Sequence, residues 1–413
     1  MSMSMSMSMS KVLVSGVLAA SCVGMLASTP VMAQEDGFKA GNTTITMDGF
    51  IKFDTIAVRT SDGNFIAEQL RDLYLPGATP VGGQDSEESL TMHAKESRFS
   101  FKTNTDLGTG TPLRGLIEMD FGPGREMLNG SSGTNRAAVN LRHAYFQYGA
   151  WGFGQTWSTG LFGPAILESL NFFTLSEGMF TPRQPQIRYT NGPLAIALER
   201  PTTTAQVNGS DTSLASLKSE FGDGLLPDLV TRYSFKTGNA QLALVGVLRQ
   251  LEVDGRVNNF GASATPTIDE TETGYGVGVA GNVALGGATE LKFMAFGGSG
   301  TGRYSGLGFA PDVVVADDGS EMEAVDHVSF NAGIAHKLNT RWRTNVGFGM
   351  EKADLEGDKL SEKSWSGLIN LLYSPTKSVT VGAEVKHGQR ELVDGTDGKQ
   401  TRLQFSAKYN FGA

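Results

Sequence analysis

Residues 141–190 read LRHAYFQYGAWGFGQTWSTGLFGPAILESLNFFTLSEGMFTPRQPQIRYT. A strand-like run, Leu141–Tyr148, meets a minimal turn at Gly149–Ala150, and a second run, Trp151–Trp157, follows at once. A long connection, Ser158–Gln186, then precedes a third short run at Ile187–Thr190. Loops of this length are uncommon inside compact domains and are usually functional. This one carries Leu161, Phe162, Ile166, Leu167, Leu170, Phe172, Phe173 and Phe180, so it is too apolar to lie in water. It must pack against something. If the flanking strands belong to a large barrel, the available space is the barrel's own lumen. The stretch therefore predicts a pore with a loop folded into it.

Outward from this segment, period-two alternation recurs to both ends of the chain. Leu403, Phe405, Ala407, Tyr409 and Phe411 take one face; Arg402, Gln404, Ser406, Lys408 and Asn410 take the other. Val379–Lys386, Trp342–Glu351 and Val328–Ala335 alternate in the same way. A soluble sandwich would show this pattern too. The connections decide between them. Short turns near 106–111, 149–150, 191–193, 237–239, 286–287, 339–340 and 375–377 alternate strictly with long connections. The long ones fall near 60–88, 122–136, 158–186, 201–225, 252–270, 304–322, 354–360 and 393–398. All short turns then fall at one end and all long loops at the other, as in outer-membrane barrels. The expected fold is all-β: a transmembrane antiparallel barrel of about 16 strands with an inserted constriction loop. Prolines are expected only outside strand interiors, because a central strand cannot spare the hydrogen bond that proline removes.

Residues 1–33 read as a signal peptide: Lys11, an apolar run, and Ser28–Ala33 as a cleavage-site pattern. The barrel domain is assigned to 34–413, with no composition shift or linker suggesting another domain. Cys22 is the single cysteine and lies in the apolar run, so the barrel domain has no disulfide or thiolate chemistry. Glycine reaches 53 of 413 residues while apolar residues make up only 39%, a low apolar share for a soluble core of this size.

The formal charge is −9. Six of the long connections carry 22 acidic against 4 basic residues, which leaves the remainder of the chain basic. The acidic loops read first as a solvated surface; divalent-cation bridging to lipopolysaccharide is the sharper alternative. The basic remainder includes residues that alternation turns toward the lumen. Lys52 and Asp54 face inward with Ile51 and Phe53 outward. Glu96, Arg98, Ser100 and Lys102 form the next inward set, followed by Glu118 and Asp120, then Arg142. Arg183 closes the long loop and Arg188 follows it. A charge on the lipid face costs about 2–4 kcal/mol at the bilayer midplane, so these side chains should point into water. Rings or ladders of Arg and Lys favour anions, whereas pairing with neighbouring carboxylates would only stiffen the wall. Arg98, Arg142, Arg183 and Arg188 are expected to converge at the constriction, with Lys52 and Lys102 nearby.

Leu141–Tyr145, Gly154–Ser158, Arg183–Thr190, Gly49–Asp54 and Ser97–Phe99 together resemble the DcaP-like outer-membrane porins, in order and spacing, over nearly the whole chain after residue 33. The resemblance implies a 16-stranded homotrimeric porin that passes small anionic solutes such as dicarboxylates. Its surroundings would be outer-membrane lipid and lipopolysaccharide.

Other chemistry finds no support. His93, His143, His327, His336 and His387 lack metal-ligand spacing, so no metal or cofactor is expected. His143 reads as a structural hydrogen-bonding group in the wall. Gly274–Gly278 lies on alternating strand and opens no helix, which argues against a phosphate loop. No basic tail or aromatic-basic motif suggests nucleic acid. A passive porin is the reading; a barrel-borne enzyme and a plugged structural or adhesive barrel are the alternatives.

Overall fold

In a computed structural model of the protein, residues 37–122, 137–212, 218–222, 224–259 and 265–412 are described. The proposed signal peptide and nearly all of the 122–136 connection lie outside them. Sixteen antiparallel strands close into a barrel. They are β1 Thr43–Thr60, β2 Glu87–His93 continued by Arg98–Thr105, β3 Leu113–Asp120, β4 Asn140–Tyr148, β5 Trp151–Trp157 and β6 Arg183–Asn191. Then follow β7 Leu194–Glu199, β8 Asp228–Thr237, β9 Ala240–Arg256, β10 Thr267–Gly286 and β11 Thr289–Ser299. The last five are β12 Asp326–Lys337, β13 Trp342–Ala353, β14 Ser361–Tyr373, β15 Val379–Leu392 and β16 Asp397–Phe411. β1 pairs with β16 from Gly49↔Phe411 to Thr60↔Gln400, which completes the closure and leaves that pair no free edge.

The alternation sorts as lipid demands. Ile51, Phe53, Phe101, Ile117, Phe405 and Leu403 are exposed on the outer face. Lys52, Asp54, Ser100, Arg142, Gln404 and Ser406 are buried on the inner one. Two local departures matter. β2 breaks at 94–97, so Glu96 sits in the break and not on a strand. A bulge at Glu118/Met119 in the β3–β4 pairing buries both Arg142 and His143, neighbours that strict alternation would place on opposite faces. The proline expectation also needs correction, because Pro185 is the third residue of β6. Its carbonyl accepts from Arg200 N–H at 2.9 Å, one residue past the end of β7, so the missing donor falls where that neighbouring strand has stopped.

The long loop does enter the barrel. Strand structure at β6 begins at Arg183, so the loop proper is 158–182. From its root it runs along the inner wall. Arg232 on β8 donates to Thr159 O at 2.9 Å, and Lys292 on β11 to Pro164 O at 2.8 Å. Gly333 on β12 and Gly347 on β13 lie under Leu167, where an added Cβ would come within 2.5 and 2.6 Å of that side chain. Glu384 on β15 accepts from Ser169 Oγ at 2.8 Å and Leu170 N–H at 2.9 Å. Lys52 on β1 closes the run with a bond to Leu170 O at 2.7 Å. The loop thus covers the inner wall from β8 round to β1, and the arc β2–β6 faces what remains of the lumen.

Other long loops tuck in at the same end. Tyr74, from the 61–86 connection, is fully buried and donates to Glu177 at 2.9 Å. Segments Thr203–Val207, Ser219–Phe221, Val313–Val315 and Met322–Ala324 form a second, four-stranded sheet. It packs Ala205, Val207, Val313 and Val315 against Leu251 and Val253 of β9. At its base Arg249 meets Asp312 at 3.0 Å and Asp228 at 3.3 Å, with all three side chains fully buried. Tyr304 OH donates to Asp228 at 2.6 Å. Burial, then the nearby carboxylates, pushes the Tyr74 and Tyr304 phenols up from their ordinary range, so both remain neutral donors.

Candidate functional site

On the uncovered arc, three guanidinium groups share one neighbourhood. Arg98 starts the second half of β2, Arg142 is the residue left unpaired at the bulge on β4, and Arg183 opens β6 directly opposite Trp157 of β5. Two carboxylates from β3 lie among them. Glu118 meets Arg142 Nε at 2.8 Å and Arg98 Nη1 at 3.5 Å, while Asp120 meets Arg142 Nη1 at 2.6 Å. Arg183 has no carboxylate within salt-bridge distance among the described residues. It lies over the Trp157 ring at 4.4 Å, and its Nη1 is buried without a hydrogen-bond partner among the described residues. Arg98 Nε is left open in the same way. The set carries one more cation than anion and has donors to spare. Across from it stands the crest of the inserted loop: Arg142 is 5.3 Å from the Phe172 ring.

The remaining predicted residues separate into three places. Lys52 is held by Glu96, by Asp54 at 3.1 Å and by Leu170 O, so it braces the loop against β1. Lys102 lies farther toward the short-turn mouth and pairs with Asp48. Arg188 is not drawn into the group. Five residues along β6 from Arg183, it donates to Trp157 O at 2.5 Å and to Gln186 Oε1 at 2.9 Å. His143 is hydrogen-bonded to Thr156 Oγ1 at 2.8 Å, a wall contact. Three participants were not singled out from sequence. Phe50 carries Arg98 at 5.1 Å and Lys408 at 4.2 Å on its ring. Arg232 anchors the loop root. Lys408 stood on the polar face of the last strand, so its inward direction was readable, but its place beside Arg98 depends on closure between first and last strands.

Electrostatic magnitudes suit passage better than capture. Two unit charges 4 Å apart interact by about 1 kcal/mol in bulk water and about 4 kcal/mol at an effective dielectric of 20. A partly compensated cation cluster beside water therefore attracts an anion by a few kcal/mol and still lets it go. Guanidinium groups suit carboxylates because their planar forks can donate two parallel hydrogen bonds.

A closed 16-stranded antiparallel barrel with an apolar outer band, a polar interior, short turns at one end and an inserted loop defines an outer-membrane channel protein of the porin type. The chain belongs to the DcaP outer membrane protein family, whose model matches residues 31–411. The crystal structure of the outer membrane channel DcaP of Acinetobacter baumannii superposes with a TM-score of 0.71 at 24% identity, covering 91% of this chain and 100% of that one. OmpT of Vibrio cholerae, an outer membrane protein, superposes at 0.54 with 12% identity over 91% of this chain and 100% of its own. A trimer form of the same Vibrio protein gives 0.52 at 10% identity, over 89% and 99% of the two chains. Among curated proteins no sequence matches the chain.

Proposed function

We propose that the protein is a passive, non-enzymatic porin that favours small organic anions, dicarboxylates among them. The observation that carries this reading is the convergence of Arg98, Arg142 and Arg183 opposite Phe172, with Glu118 and Asp120 offsetting them among the described residues. Lys52 and Lys102 are each tied to carboxylates and contribute less to the field; Asp54 and Glu96 serve the loop brace. Arg188 lines the wall nearer the short-turn end. Residues 1–33 act as a cleaved signal peptide and 34–413 form the barrel domain. The protein assembles as a homotrimer in lipopolysaccharide-rich membrane, as the trimer form of the Vibrio relative suggests.

A plugged barrel is the second reading, and one observation favours it: three long connections, around Tyr74, Phe172 and Tyr304, all pack inside the wall. Ion conductance of the purified protein in a planar bilayer separates the two. A porin conducts and, in a salt gradient, gives a reversal potential of anion-selective sign. A silent bilayer favours the plug, and a cation-selective sign removes the anion filter. Gel migration before and after boiling tests the trimer, which should collapse to a monomer on heating.

A further inference from the structure

Below the guanidinium group, toward the short turns, the inner wall carries a second recess, of which the porin reading uses Lys102 alone. It measures about 480 Å³ and is walled by β1–β4. Two rungs of cross-strand neighbours build it. One joins Thr46, Lys102, Leu116 and Tyr145; the next joins Thr44, Asn104, Arg114 and Gln147. Successive alternate residues of a strand share a face, so all eight side chains stand on the face that also bears Lys52, Arg98, Glu118 and His143. Gly152 on β5 sets how Tyr145 lies at the edge of the recess. It lies against Tyr145, and a Cβ there would come within 1.5 Å of the phenol oxygen. Glycine lets the ring lie flat across the neighbouring strand.

The chemistry of this recess differs from that of the constriction. Arg114 is exposed to the lumen and makes no ion pair among the described residues, whereas Lys102 is shared with Asp48. Around these cations stand neutral groups that both donate and accept: two threonine hydroxyls on β1, a phenol on β4 and two amides. A plain carboxylate needs the cations alone. Neutral donor–acceptor groups interleaved with them match hydroxyl groups on the same solute. A site built to hydrogen-bond a hydroxyl also discriminates strongly against the analogue lacking it, because its own polar groups then go unpaired.

The geometry points to this recess as a periplasmic-side binding station for hydroxylated organic anions, with Arg114 holding a carboxylate and Tyr145, on the adjacent strand, engaging a hydroxyl group. It rests on the porin reading and adds a substrate class to it. A second station in series also suits conduction, which requires sites that hold weakly and hand on.

The test uses purified full-length protein in planar bilayers, with tartrate or succinate added on the short-turn side. The two probes carry the same pair of carboxylates and differ in hydroxyls. In the unmodified channel, tartrate should interrupt the current several-fold longer than succinate. Arg114→Gln should shorten the interruptions by both probes, and Tyr145→Phe should shorten those by tartrate alone. Arg114→Lys, which keeps charge and loses the fork, should fall between. Equal interruptions by tartrate and succinate in the unmodified channel overturn the proposal, as does Arg114→Gln behaving like the parent. The reversal potential recorded from the same channels keeps the two ideas apart. An anion-selective potential with no distinction between probes removes this station alone; a potential without anion preference removes the anion filter on which it rests, and a silent bilayer removes the porin reading itself.

Discussion

Arg142 and Phe172 face each other across the space left by the inserted loop, with the guanidinium carbon 5.3 Å from the ring centroid. One comes from the wall at β4 and the other from the loop crest, so this contact joins the crest of the loop to the basic arc. A cation–π contact contributes about 0.5–1 kcal/mol at an exposed site and about 2 kcal/mol where the cation is desolvated, as the buried Arg142 is. Phe172→Ala should raise single-channel conductance while leaving the sign of ion selectivity unchanged. A conductance equal to the parent's would mean that the narrowest point lies elsewhere.

Glu384 accepts more hydrogen bonds from the inserted loop than any other wall residue among those described. It accepts from Ser169 Oγ, from the Leu170 and Asn171 N–H groups, and from Asn370 Nδ2 at 3.0 Å. Each buried donor left without a partner costs about 1–3 kcal/mol. Glu384→Ala should therefore free the crest, giving larger and noisier currents from a barrel that still shows heat-modifiable migration. Quiet currents of parental size would show that the loop holds without this anchor.

Gly347 leaves room for the loop on β13. A side chain there would meet Leu167 and Leu175, each about 2.6 Å from the added Cβ. Overpacking costs about 1–3 kcal/mol, so Gly347→Leu should either displace the loop and change conductance or lower thermal stability. Gly163→Ala is the control, since its Cβ would meet nothing within 4 Å. It should behave as the parent does in both measurements.

The Asp312–Arg249–Asp228 set ties the 300–325 connection to the barrel. Removing one member of a buried ion pair costs about 3–5 kcal/mol because the other charge stays buried. Asp312→Ala should open this connection to limited proteolysis in the intact protein, with fragments cut between β11 and β12. Protease resistance equal to the parent's would show that the four-stranded loop sheet holds by its apolar contacts alone.

The barrel was legible because lipid imposes a simple rule on each strand. Ile51, Phe53 and Phe405 must face out and Lys52, Asp54 and Ser406 inward, a period that survives without any alignment. Connection lengths then gave strand number and direction. Contacts between loop and wall were not legible. Nothing local in Glu384 or Lys386 foretells Leu170 or Thr174, more than 200 residues away, and Gly333 or Gly347 looks like any other strand glycine. The convergence of Arg98, Arg142 and Arg183 was readable as a set of inward cations. Excluding Arg188 from it required knowing where β6 begins. Arg142 reached its position through a bulge that breaks the alternation used to predict it.

Salt-gradient reversal potentials of the parent and of the Arg98→Gln, Arg142→Gln double variant test the anion filter most directly. Both proteins should first show the same heat-modifiable migration, so that folding is held constant. The parent should give a potential of anion-selective sign, and the double variant should move toward or past zero as Glu118 and Asp120 lose their counter-charges. A double variant whose reversal potential matches the parent's would show that these arginines brace the wall and do not select the solute.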